Sequence, residues 1–140
     1  MAAIAKSNIV EFRRSPAVVF TIALLMTVGS RQQLYAADRA SAKLEIEYLL
    51  QHVEQSGCEF YRNGTWYDAR KGRAHLLTKY DYLSFRGLIV TTEDFITKAA
   101  TESSFSGQIY QVRCDGRGPT PSGQWLLEAL TQYRSLKSAR

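Results

Sequence analysis

The chain has 140 residues, 18 Lys and Arg against 13 Asp and Glu, and a formal net charge of +5; 45% of its residues are apolar or aromatic. That length holds one domain. Residues 1–36 carry four basic side chains (Lys6, Arg13, Arg14, Arg31) and one acidic (Glu11), which leaves 14 basic and 12 acidic in the remainder, net +2. With a nearly neutral remainder the high overall charge says little for nucleic-acid binding, which calls for a clustered basic stripe, and no nucleic-acid partner is expected.

Residues 1–36 read as a secretory signal. Lys6, Arg13 and Arg14 form its positive start, Ala17 to Val28 its uncharged apolar run, and Leu34-Tyr35-Ala36 its small-residue end. Cleavage is expected after Ala36, with Val28-Gly29-Ser30 as a second candidate. The run is about a dozen residues, short of the roughly 20 that cross a hydrocarbon core, so the mature chain is expected to carry no membrane span. No Cys stands near the cleavage site to support a lipid anchor. The predicted location is periplasmic or secreted, and residues 37–140 are predicted to form a single domain. An exported chain with two cysteines, Cys58 and Cys114, predicts one disulfide. Their spacing is not the Cys-x-x-Cys of redox pairs.

Asp38 to Ser56 has a helical stripe of Ile46, Leu49, Leu50 and Val53, with Lys43, Glu45, Glu47, Gln51 and Glu54 assigned to the wet side. Gly57 suits the left-handed end, and His52 is assigned to the surface near the helix C-terminus. Asn63-Gly64 then predicts a type I′ hairpin turn. Cys58 and Phe60 share one face of the first strand, Glu59 and Tyr61 the other, and Thr65 to Tyr67 returns. Asp68 is the expected cap of a second helix, Ala69 to Arg86, ended by Gly87. Ala69, Leu76, Leu77, Tyr80 and Leu83 point inward, and Gly72 marks a close packing contact. His75, Lys79, Tyr82 and Arg86 form a polar row along one flank.

Thr91 or Thr92 caps a short third helix, Glu93 to Ala100, with Phe95, Ile96 and Ala99 buried. A serine-rich loop, Thr101 to Gly107, leads into a strand from Gln108 to Cys114 that places Tyr110, Val112 and Cys114 on one face. Paired antiparallel with the first strand, it brings Cys114 beside Cys58. Thr120 is the expected cap of the last helix, with Pro121 as its first residue. That helix buries Trp125 or Leu126, Leu130 and Tyr133, and Ser135 to Arg140 is expected to fray. The predicted fold is α+β, a small antiparallel sheet packed against about four helices.

For chemistry, His75 is the candidate proton-transfer group, and Ser104 and Ser106 are the candidate hydroxyl nucleophiles. An acid to orient the ring and a nucleophile elbow are both missing from the sequence pattern. Two separated histidines and two bonded cysteines do not make a metal site, and no cofactor is expected. Lys79, Tyr82, Arg86 and Tyr110 are the binding candidates, beside the aromatic Tyr61, Trp66 and Tyr67. The favoured reading is a monomeric, non-enzymatic binding or interaction domain of the cell envelope whose partner is an envelope protein, peptidoglycan or another glycan. The alternative is a small envelope hydrolase using His75 with a serine-loop hydroxyl.

Several motifs also resemble a known family. They are Ile46-Glu-Tyr-Leu-Leu, Cys58-x-Phe-x-Arg-Asn-Gly-x-x-Tyr-Asp-Ala, Ala74-His75-Leu76, Lys79-Tyr80, Thr92-Glu-Asp-Phe-Ile, Ser103-Ser104-x-Ser106-Gly107-x-x-Tyr110 and Trp125-Leu126. As a set they resemble the YfeK-like family of uncharacterised bacterial exported proteins. The chain departs from that pattern near Lys71 and Gly72, where the family has an acidic residue and an Ala. The resemblance implies export and a small α+β fold and carries no activity. His75, Lys79, Ser104, Ser106 and Tyr110 match its polar positions.

Overall fold

The computed structural model describes residues 38–139; the signal segment expected over 1–36 lies outside them. Helix α1 (38–55) buries Ile46, Leu49, Leu50 and Val53, the stripe its periodicity predicts. Gly57 ends it at φ +66, a conformation that only glycine adopts without strain. Strands β1 (Glu59–Arg62) and β2 (Thr65–Tyr67) follow, joined through Asn63 at φ 48 and Gly64 at φ 90, as a type I′ turn requires. Asp68 accepts from the Lys71 amide at 2.9 Å and so caps α2 (Ala69–Phe85). A Cβ at Gly72 would lie 2.9 Å from Cδ2 of Phe60, so glycine is what lets this helix lie against β1.

Thr91 closes a capping box with Asp94 at the start of α3 (Thr92–Phe95), which widens into a π-helical turn over Ile96–Ala100. Phe95, Ile96, Ala99 and Ala100 of this segment are buried. Strand β3 (Gln111–Arg113) pairs antiparallel with β1, Phe60 opposite Val112, and β4 (Thr120–Pro121) pairs with β3. The four-stranded order is β2-β1-β3-β4, and α4 (Ser122–Ser138) follows. The result is an α+β fold of four helices and one antiparallel sheet among the described residues. Cys58 and Cys114 are bonded, their Cα atoms 4.4 Å apart, where the pairing of β1 with β3 puts them.

Several local expectations are corrected. The third strand begins at Gln111 instead of Gln108, because Ile109 bridges back to Glu102 and the Tyr110 amide bonds the Thr101 carbonyl. Thr120 does not cap the last helix; it pairs with Val112, and Pro121 holds the cap position without a side-chain bond. The helix also runs through the tail expected to fray, where Ser135 and Ser138 bond carbonyls of their own helix. His52 is not on the surface. It is half-buried, its ring 4.5 Å from that of Trp125 with Tyr48 on another side, and burial lowers its pKa.

Glu45 is the largest departure. Assigned to the wet side, it is buried between helices, where it accepts from the Thr92 hydroxyl and from Nε and Nη2 of Arg134 at 2.8 and 2.7 Å. Arg134 reaches Glu93 with its remaining Nη1 at 2.6 Å. One guanidinium thus joins α1, α3 and α4.

Candidate functional site

Strand alternation decides which side chains of the hairpin reach inward. Phe60 and Arg62 share a face, and the register sets Tyr67 directly across from Phe60. Carrying the β1–β3 register one step past Tyr61 and Gln111 sets Arg62 beside Tyr110. The opposite face holds a separate cluster, with Tyr61 on Trp66, Arg113 4.1 Å over the Trp66 ring, and Glu59 paired with Arg113. Across the inner face lies α2, where Lys71, His75 and Lys79 succeed one another a turn apart. Between hairpin and helix is a cavity of about 250 Å³ with mostly apolar walls, lined among others by Phe60, Arg62, Tyr67, Lys71, His75 and Tyr110.

His75 sits at the centre of this arrangement. Its Nδ1 is 2.9 Å from Nη1 of Arg62, and its Nε2 is 3.1 Å from the Tyr110 hydroxyl. A guanidinium only donates, so Nδ1 accepts; Nε2 then carries the proton and donates to Tyr110. Burial, then the charges of Arg62 and Lys79, lower the His75 pKa to about 4, which keeps the ring neutral at pH 7. Burial also raises the Tyr110 phenol, against an opposing hydrogen bond from Ser103. Lys79 donates to the Glu102 carbonyl at 2.9 Å and lies 5.1 Å from the centroid of the Tyr110 ring. Its pKa is lowered, first by burial.

His75, Lys79 and Tyr110 therefore meet. The remaining candidates do not join them. Ser106 donates to Oδ1 of Asn63 at 2.8 Å and ties the serine loop to the hairpin turn. Ser104 is exposed, and the buried serine of that loop is Ser103. Tyr82 and Arg86 are exposed and bond each other at 2.6 Å, beyond the pocket. Arg62 and Lys71 are pocket residues missing from the expected set, and Tyr67, one of the aromatics expected beside the binding candidates, does line the pocket. Arg62 and Phe60 stand two apart on one strand, and that spacing was the available signal.

Among the described residues no group of three or more His, Cys, Asp or Glu is placed to hold a metal ion, and no helix is long and apolar enough to cross a membrane. No curated protein and no solved structure matches the chain. A family model does match, over residues 40–134, and it replaces the YfeK-like naming that the motifs suggested while keeping the expectation of a domain without assigned activity. The chain belongs to the family of unknown function DUF5329.

Proposed function

We propose that the protein is a non-enzymatic binding domain of the cell envelope, and that its ligand occupies the cavity between the hairpin and α2. The observation that carries this reading is the double commitment of His75. With Nδ1 held by Arg62 and Nε2 directed at Tyr110, neither ring nitrogen is paired with a serine hydroxyl that it could deprotonate. Neither Ser104 nor Ser106 is bonded to it. A neutral, doubly bonded imidazole is a fixed wall of a pocket, as binding requires. The cavity is smaller than the roughly 300–1,000 Å³ of drug-sized sites, so it suits a small ligand or the end of a larger one. An exported location fits the basic and apolar segment at 1–36 and the Cys58–Cys114 bond, which persists in oxidising compartments.

The test is retention. Wild-type protein is equilibrated with a small-molecule extract of the source cells' envelope, and bound compounds are identified by mass spectrometry. The comparison is Ala74→Trp, which puts a large ring at an exposed position of the pocket lining. Wild type is expected to retain a compound unchanged, and Ala74→Trp to retain about tenfold less or none. Equal retention by both proteins, or recovery of a chemically altered compound, would overturn the reading.

A further inference from the structure

We infer that the pocket takes a carboxylate carried on a small apolar ring, with Arg62 as its anion contact and Lys71 as a charge at its edge. This rests on the binding reading above and adds the ligand's chemical class. Arg62 is half-buried, yet no carboxylate lies within ion-pair distance of it among the described residues. Arg113 and Arg134, by contrast, are each paired with a glutamate. The polar partner that Arg62 does have is an uncharged imidazole, which uses one donor and leaves the rest of a fork that matches a carboxylate in two-point geometry.

The surrounding charges agree in sign. Arg62 and Lys71 line the cavity and no Asp or Glu does, while Lys79, outside the lining, is near enough to act on His75 and has Glu102 near enough to act on it. A cation there would meet only repulsion, and a neutral polar group would leave the guanidinium without a counter-charge. The walls give the second half of the ligand. Phe60, Tyr67 and Leu76 line the cavity, and the Arg62 guanidinium carbon is 5.3 Å from the centroid of the Tyr67 ring, so charge contact and apolar surface adjoin. The volume equals about eight water molecules, enough for a single ring with its carboxylate.

The experiment titrates benzoate, benzyl alcohol, benzylamine and acetate into isotope-labelled full-length protein, following the signals of Arg62, Tyr67, His75 and Tyr110 by NMR. Benzoate should shift all four and bind about tenfold or more tighter than the other three probes. Arg62→Gln should weaken benzoate by about 10- to 100-fold, as expected for a lost charge-assisted bond. Lys71→Met, whose side chain is exposed, should weaken it about threefold with the fold intact. Bound benzoate should also raise the pH at which His75 protonates, by offsetting the positive charges of Arg62 and Lys79 that act on it. Equal binding of benzyl alcohol or benzylamine would overturn the anion assignment and leave the pocket standing. Equal binding of acetate would remove the ring. If no probe moves the four signals at millimolar concentration, the binding reading falls as well.

Discussion

Protonating His75 would place a new charge beside Arg62 and Lys79 in a half-buried site, and its pKa of about 4 expresses that cost. The unfolded value is 6.5, above the folded one, so between about 4 and 6.5 the unfolded chain binds more protons than the native chain. Stability must then fall as pH drops through that window and level off below it. His52, lowered by burial, acts in the same direction. The lowered carboxyls of Glu45, Glu93 and Asp94, the last held to about 2, add losses at more acid pH. We expect the His75 ring to titrate near 4 by NMR, and His75→Gln to flatten the stability profile between pH 4 and 6.5. An ordinary midpoint near 6.5 would mean that neither the burial of the ring nor its contact with Arg62 persists in solution. The polar row on α2 was legible because helical spacing alone puts His75 and Lys79 on one flank. Its continuation to Tyr82 and Arg86 was misleading, since the row leaves the pocket where the hairpin ends, and spacing does not say where a neighbour stops.

Helix faces were read from periodicity, and periodicity located the four large aliphatic residues that α1 buries, though not Ala42 on the same helix. Glu45 failed the same test for a physical reason. A carboxylate is assigned to water unless a cation is known to reach it, and Arg134 lies 89 residues away along the chain. Nothing local announces that pairing. The same holds for Thr120, a good cap by type that is drawn into a strand by Val112. The clamp between α1, α3 and α4 predicts an asymmetric mutational result. Arg134→Met should leave Glu45 buried with one hydroxyl partner and destabilise the fold by about 1–3 kcal/mol. The double variant Glu45→Leu/Arg134→Met should recover much of that loss, because it removes the orphaned charge along with its partner. Urea denaturation of the single and double variants measures both quantities. A double variant as unstable as the sum of its parts would show that the clamp matters for its geometry and not for burial of the carboxylate.

For the whole molecule, the Cys58–Cys114 bond closes a span with a sequence separation of 56 and ties the start of β1 to the chain just past β3. On the chain-entropy account, such a closure stabilises the native state by about 4 kcal/mol, a large fraction of what a domain of this size has. Its position gives it a second effect. The β1–β3 register places Arg62 beside Tyr110 and so composes the site around His75. A one-residue slip would turn Arg62 outward and Tyr61 inward. The bond fixes that register from the far end of the same strand pair, where it also abuts the left-handed Gly57 that ends α1. Protein purified under oxidising conditions should therefore show no free thiol. The double variant Cys58→Ala/Cys114→Ala should lose about 4 kcal/mol in urea, with a steeper denaturant dependence because its unfolded chain is less constrained. Hydrogen exchange separates the two effects. If the bond acts only on the unfolded chain, the Tyr61 and Gln111 amides, which face each other across the β1–β3 pair, lose protection only as far as global stability falls. If it also holds the register, those amides open more readily than the core of α4 around Leu126 and Leu130, and the hairpin side of the pocket loosens with them.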